Sequence, residues 1–248
     1  MSEGARGLRA RGHAVQSFAA MTASITAAAG GRTSVGKKVA VAVTGLIGIG
    51  FVFAHMVGNL KVFLGREEID HYGEWLREIG EPALPRSTVL WILRLVLVAA
   101  LVIHVTLVYQ LTMQSRRARP VKYQYTEPIR KTPAGRTMRW GGVTILLFLI
   151  FHLADFTWGP ANPGFERGHV YRNLIASFDR IPVTIFYLLA QFALGMHLYH
   201  GVWSATQTLG LNQARWDTTI RRGAAAAAVV IAGGFSVVPL AVLFGVVD

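Results

Sequence analysis

A chain of 248 residues in which 52% are hydrophobic and only 15% are charged, with a mean hydropathy of +0.41, is too apolar for an ordinary water-soluble domain and belongs in a bilayer. The formal net charge of +12 does not indicate a nucleic-acid binder, because the basic residues gather at the ends of apolar runs without interleaved base-stacking aromatics. With no cysteine, disulfides, thiolate metal sites and CxxCH-type covalent haem attachment are all excluded.

Residues 1–36 are rich in Ala, Gly, Ser and Thr, with Arg6, Arg9 and Arg11 ahead of a weakly apolar stretch from Ala14 to Ala29. The stretch imitates a signal peptide, yet it lacks leucine and carries Gln16, Ser17, Thr22, Ser24 and Thr26, so a cytoplasmic arm or an interfacial helix is the expected form. Residues 37–248 form the second unit, a five-helix transmembrane domain. Its apolar runs lie at about Lys38 to Phe63, Ser87 to Ser115, Arg139 to Trp158, Pro182 to Leu209 and Gly223 to Val246. Each approaches or exceeds the ~20 residues that cross a ~30 Å hydrocarbon core. Pro182 suits the first turn of a helix, whereas Pro120, Pro128 and Pro133 mark a non-helical connection.

Basic residues are retained on the cytoplasmic side of a membrane protein. The segment through Lys38, the second connection from Arg116 to Arg139 and the fourth connection together hold seventeen Lys and Arg; the first and third connections hold seven. The N-terminus is therefore expected in the cytoplasm and Asp248 outside.

Each of the first four runs carries one histidine in its interior, His55, His104, His152 and His197, and the fifth carries none. Histidine in hydrocarbon is costly and faces the bundle interior, where it needs a partner. At ~1.5 Å of rise per residue, His55 lies about 25 Å and His152 about 20 Å from the inner face, while His104 and His197, on helices running the other way, lie about 25 and 22 Å from the outer face. That sorts them into an outer pair, His55 with His152, and an inner pair, His104 with His197, at levels about 15 Å apart. Two pairs at two depths are what two bis-histidine haems require, each iron clamped by imidazoles from two helices. Such iron has no open axial position and relays electrons. Gly45, Gly48, Gly50, Gly141, Gly142, Gly195 and Gly201 accompany the pairs, either for close helix packing or to make room for porphyrin. His200, three residues after His197, is a rival ligand for the inner site. His71 and His169 read as solvated residues of the outer loops, and His13 suggests no site. Tyr109, His200 and Trp203 near the inner helix ends are candidates for quinone contact; Arg94, near the outer level together with Asp155, is a candidate for pairing with a haem propionate, with snorkelling to the interface as the alternative.

The strings AHMVGNLKVF (54–63), RRARPVKY (116–123), MRWGGVTILLFLIFHLADFTWG (138–159), VYRNL (170–174) and HLYHGVWSATQTLG (197–210), in this order, resemble the di-haem cytochrome b subunit of succinate dehydrogenase and fumarate reductase over about residues 36–247. The resemblance implies a haem nearer the cytoplasmic subunits on the second and fourth helices, matching His104 and His197, and a distal haem on the first and third, matching His55 and His152. It also implies that the fourth-helix ligand precedes a Gly-x-Trp segment by four residues, which selects His197, before Gly201 and Trp203, over His200. A flavoprotein subunit with FAD and an iron-sulfur subunit would dock on the cytoplasmic side and carry the dicarboxylate chemistry, with electrons passing through two haems b to or from a quinone, menaquinone being the type expected, in the plasma membrane. The glutamate that some relatives place two residues before the fourth-helix ligand is Gly195 here, so their transmembrane proton path is not carried over. A haem-free structural anchor, and a transporter of haem or another solute, are the rival readings; against the transporter, the spans show no inverted repeat.

Overall fold

A computed structural model of the chain describes residues 33–118 and 133–248. The Arg6–Arg11 cluster, the signal-like stretch, His13, Pro120 and Pro128 lie outside those residues. Every described element is helical, and five helices are long and apolar enough to cross a membrane.

The first, α1, spans Ser34–Leu60. It starts four residues before Lys38 because Thr33 caps it, its hydroxyl accepting from the Gly36 N–H at 3.1 Å. After a tight turn at Lys61–Leu64 and Gly65, whose φ of 104° suits a residue without Cβ, comes a helix absent from the sequence reading, α2 at Arg66–Glu78. Glu67 and Glu68 in its first turn and Arg77 in its last complement the helix dipole. The second long helix, α3, spans Thr88–Arg117, and α4 spans Pro133–Leu153. Pro133 therefore opens a helix instead of belonging to a non-helical connection. Its missing N–H costs nothing at that position, as holds for Pro182 in the first turn of α6. The chain leaves α4 through a π-helical turn, Ala154–Trp158, closed by Gly159 at φ 98°. A second short helix, α5, spans Val170–Phe178, followed by α6 at Ile181–Thr208 and α7 at Asp217–Leu243. The last helix begins six residues earlier than its apolar run, since Asp217 supplies a favourable acidic residue to its first turn.

Helix α1 packs against α3, α6 and α7, while α6 also packs against α4 and α7. The short amphipathic helices α2 and α5 pack on each other across the end of the bundle where α1 finishes. The Tyr171 N–H donates to Asp70 at 2.9 Å and ties the two together. Beneath this cap, Val62, Ile69, Leu174, Phe178, Tyr187, Val238 and Val242 form one buried cluster, and Met56, Leu198, Ala228 and Ile231 form another further along. The outside of the bundle is apolar instead of charged: Leu95 is 64% exposed, Phe192 71% and Val229 72%. In water such a surface would aggregate; around a bilayer-spanning bundle it is the lipid-facing surface. The charged pairs of the cap, Arg86 with Glu74 and Glu78, Arg77 with Glu74, and Arg172 with Glu166, are solvent-exposed and contribute little each.

Gly58, buried in α1, faces the Tyr72 ring of α2, so close that an added Cβ would lie 2.6 Å from a ring carbon. Gly58→Ala is expected to destabilise the fold by about 1–3 kcal/mol, the usual cost of overpacking, when thermal unfolding in detergent is followed by circular dichroism. Gly223→Ala, where a Cβ meets nothing within 4 Å, is expected to be neutral or mildly stabilising.

Candidate functional site

The four span histidines meet in the pairs that depth alone suggests. His55 of α1 and His152 of α4 have ring centroids 5.8 Å apart; His104 of α3 and His197 of α6 have theirs 6.5 Å apart. All four are half-buried. Neither pair comes from neighbouring helices: among the described residues, α1 with α4 and α3 with α6 are not closely packed pairs, so the imidazoles reach across gaps that the backbones leave open.

Two helices act as rulers for the spacing. A Cβ on Gly45 of α1 would touch His104 Cε1 at 3.4 Å, and Gly45 precedes His55 by ten residues. A Cβ on Gly142 of α4 would touch His197 Cε1 at 3.7 Å, and Gly142 precedes His152 by ten residues. Ten residues of α-helix rise about 15 Å, so α1 and α4 independently give the same separation between levels.

Second partners fix which ring nitrogen is free. His104 Nδ1 lies 3.2 Å from the Val41 carbonyl and 3.1 Å from the Thr44 hydroxyl, both on α1. The carbonyl only accepts, so Nδ1 carries the proton and Nε2 keeps its lone pair. His152 Nδ1 lies 3.2 Å from the Tyr187 hydroxyl of α6. For His197 and His200, Nδ1 is buried without a hydrogen-bond partner among the described residues. His55 is enclosed by rings instead, stacked on Phe51 at 5.4 Å and tilted against Phe235 at 5.7 Å.

This donor set suits one kind of metal and not another. Among the described residues no three His, Cys, Asp or Glu side chains gather as a metal site. A bare transition metal needs three or four protein ligands, whereas a metal whose equatorial positions are already filled by a macrocycle needs two, on opposite sides of a plane. A metal–imidazole bond of about 2.0–2.1 Å, as at zinc, places two such ring centroids roughly 6 Å apart, between the two observed separations. The residues present thus fit a haem at each level. No family model, curated protein or solved structure matches this chain.

The glycines divide between the two readings of them. Gly45 and Gly142 lie against imidazoles, Gly48, Gly50 and Gly201 face open space, and Gly195 sits in a close helix contact, where a Cβ would come 3.2 Å from Ala232 of α7.

The other residues singled out in the sequence are spread more widely. His200 and Trp203 are ring neighbours at 5.9 Å near the end of α6, while Tyr109 of α3 is 65% exposed. The Trp203 indole N–H donates to Asp217 at 3.0 Å, and Arg221, paired with the same carboxylate, lies over the indole at 3.9 Å. Arg94 is exposed and lies over the Trp91 indole, 5.0 Å from its centroid. His71 and His169 are exposed, as solvated residues are, although His71 belongs to α2 and His169 caps α5. Thr44, Ser177, Arg180 and Tyr187 were not legible as site residues. The single sequence signal for the last three was Asp155, a carboxylate three residues after His152, now found completely buried among them.

Proposed function

We propose that this chain is the membrane-anchor cytochrome b subunit of a succinate:quinone oxidoreductase, holding two bis-histidine haems b. The observation that carries the haem reading is the pair of imidazole pairs, 5.8 and 6.5 Å between ring centroids, drawn from helices that do not pack on each other and set one ten-residue stretch apart. Bound between two imidazoles, haem iron takes up and gives back single electrons without offering an open coordination position. The chain's share is to hold the two groups at fixed depth, keep their ligands in one tautomer and surround them with hydrocarbon. His104 and His197 hold the inner group, and His55 and His152 the outer one. His200, one turn beyond His197, has a place beside the site and not at the iron.

The identification with succinate oxidation or fumarate reduction rests on the sequence strings and their order. In this reading a flavoprotein and an iron-sulfur subunit dock on the basic, cytoplasmic face of the bundle in the plasma membrane. A quinone approaches near the same end. Of the three residues considered for it, Trp203 has its N–H committed to Asp217 and offers ring surface only. His200, with an unpartnered Nδ1, and the exposed Tyr109 are left as the polar contacts.

Ligand replacement tests the pairing. In the purified complex, His104→Ala and His197→Ala are each expected to reduce the haem content from two to one by pyridine haemochrome assay and to remove the same spectral component. His55→Ala and His152→Ala should remove the other. Retention of both haems in His197→Ala with loss of one in His200→Ala would overturn the assignment on α6.

Sidedness has its own test, helped by the absence of native cysteine. A cysteine at the exposed Glu81 position is expected to react with a membrane-impermeant maleimide in intact cells, and one at the exposed Ala118 position only after permeabilisation. The reverse pattern would place the N-terminus outside.

A further inference from the structure

The two imidazoles with defined second partners are anchored in different ways. At the inner level, His104 leans on a neutral backbone carbonyl and a threonine hydroxyl. At the outer level, His152 meets the Tyr187 hydroxyl, and that hydroxyl donates to Asp155 Oδ2 at 2.9 Å. Asp155 is fully buried, and its other donors are the Ser177 hydroxyl on Oδ2 and Arg180 Nη2 on Oδ1, the latter at 2.8 Å. Arg180 is held in turn by donating Nη1 to the Ala161 carbonyl at 2.7 Å.

A carboxylate buried in an apolar bundle is retained only where its lone pairs are occupied and its charge is matched, and here three donors converge on it. The proton inventory then settles the direction of the chain. Tyr187 has one O–H, which goes to Asp155; its oxygen is left as an acceptor toward His152. His152 Nδ1 must therefore carry a proton and donate it, and Nε2 must present its lone pair. Tyr187 is also fixed in position, its ring edge-on to Phe148 at 4.9 Å and Phe178 at 5.0 Å. The π-helical turn directly after α4 is what places Asp155 at this point. Asp155 lies three residues past His152 within one continuous stretch of helix, so ligand and carboxylate are held in a fixed relation.

We infer that Tyr187, held by the Asp155–Arg180–Ser177 cluster, is a positioning residue that fixes the tautomer and orientation of His152 and tunes the electron affinity of the outer haem alone. The inference rests on the haem reading of the four histidines. A ligand imidazole whose free N–H donates to a carboxylate, directly or through one hydroxyl, is more electron-rich and favours the oxidised metal. Among the described residues nothing of this kind reaches the inner pair, whose defined partners, the Val41 carbonyl and the Thr44 hydroxyl, are neutral.

The test is a redox titration of both haems in the intact purified complex, followed optically, with the outer component assigned as the one retained in His104→Ala. Tyr187→Phe removes one oxygen and keeps the ring. It is expected to raise the outer midpoint potential by about 60 mV, which is about a tenfold change in the relative binding of the two oxidation states at 59 mV per tenfold for one electron, and to shift the low-spin electron paramagnetic resonance signal of that haem. The inner haem, in the same sample, should keep its potential. Asp155→Asn, which keeps the shape and removes the charge, is expected to move the outer potential in the same direction and serves if Tyr187→Phe does not assemble. Unchanged potential and resonance signal in either variant, even with a lowered melting temperature, would overturn the inference and leave Tyr187 a packing residue. A wild-type complex without haem would overturn the underlying reading instead, and that outcome is seen before any variant is made.

Discussion

An imidazole in hydrocarbon has to be given a partner, and much of this structure follows from satisfying that demand four times. A lone histidine inside a span costs several kilocalories unless its nitrogens are occupied. Four of them on four antiparallel helices are accommodated as two facing pairs, and the levels of the pairs are set by ten-residue stretches of α1 and α4. Gly45 and Gly142 lie beside the His104 and His197 rings, where an added Cβ would come to van der Waals contact with the imidazole.

Long-range order in the bundle was legible from the chain because it depends on few variables. Apolar length sets where helices cross, alternation sets their direction, and rise per residue sets depth; together these give both histidine pairs and a spacing of about 15 Å from the chain alone. The ends of the helices were less legible. Thr33 capping α1, Pro133 opening α4 and Asp217 opening α7 each extend a helix beyond its apolar run, since a cap or a favourable first turn is worth as much as hydrophobicity at a membrane surface. The cap helices α2 and α5 were missed because they are short and amphipathic, and a search for spans passes over both.

The candidate site was legible to the same degree. The facing histidine pairs needed only topology. The support around His152 needed a π-helical turn and a convergence of Ser177, Arg180 and Tyr187 on Asp155, which precedes them by more than twenty residues, and no periodicity announces either. Of the quinone candidates, Trp203 showed how an interfacial aromatic can be explained locally: its N–H serves Asp217 and its face serves Arg221. The buried carboxylate was the informative residue, since a charge in an apolar run asks which partners make it tolerable.

What the chain brings to the proposed complex is narrow and physical. It carries no cysteine, and so no cluster ligands of its own, and the dicarboxylate chemistry of the proposal belongs to other subunits. In that proposal its contribution is a lipid-covered frame with two histidine pairs to hold a planar metal group, one pair anchored to neutral partners and one to a buried carboxylate network. The central claim is that both pairs hold haem. Pyridine haemochrome analysis of the purified wild-type complex, set against the amount of this chain, measures it directly: two haems b per chain is the expected result, and a complex with no b-type absorption band would contradict the account.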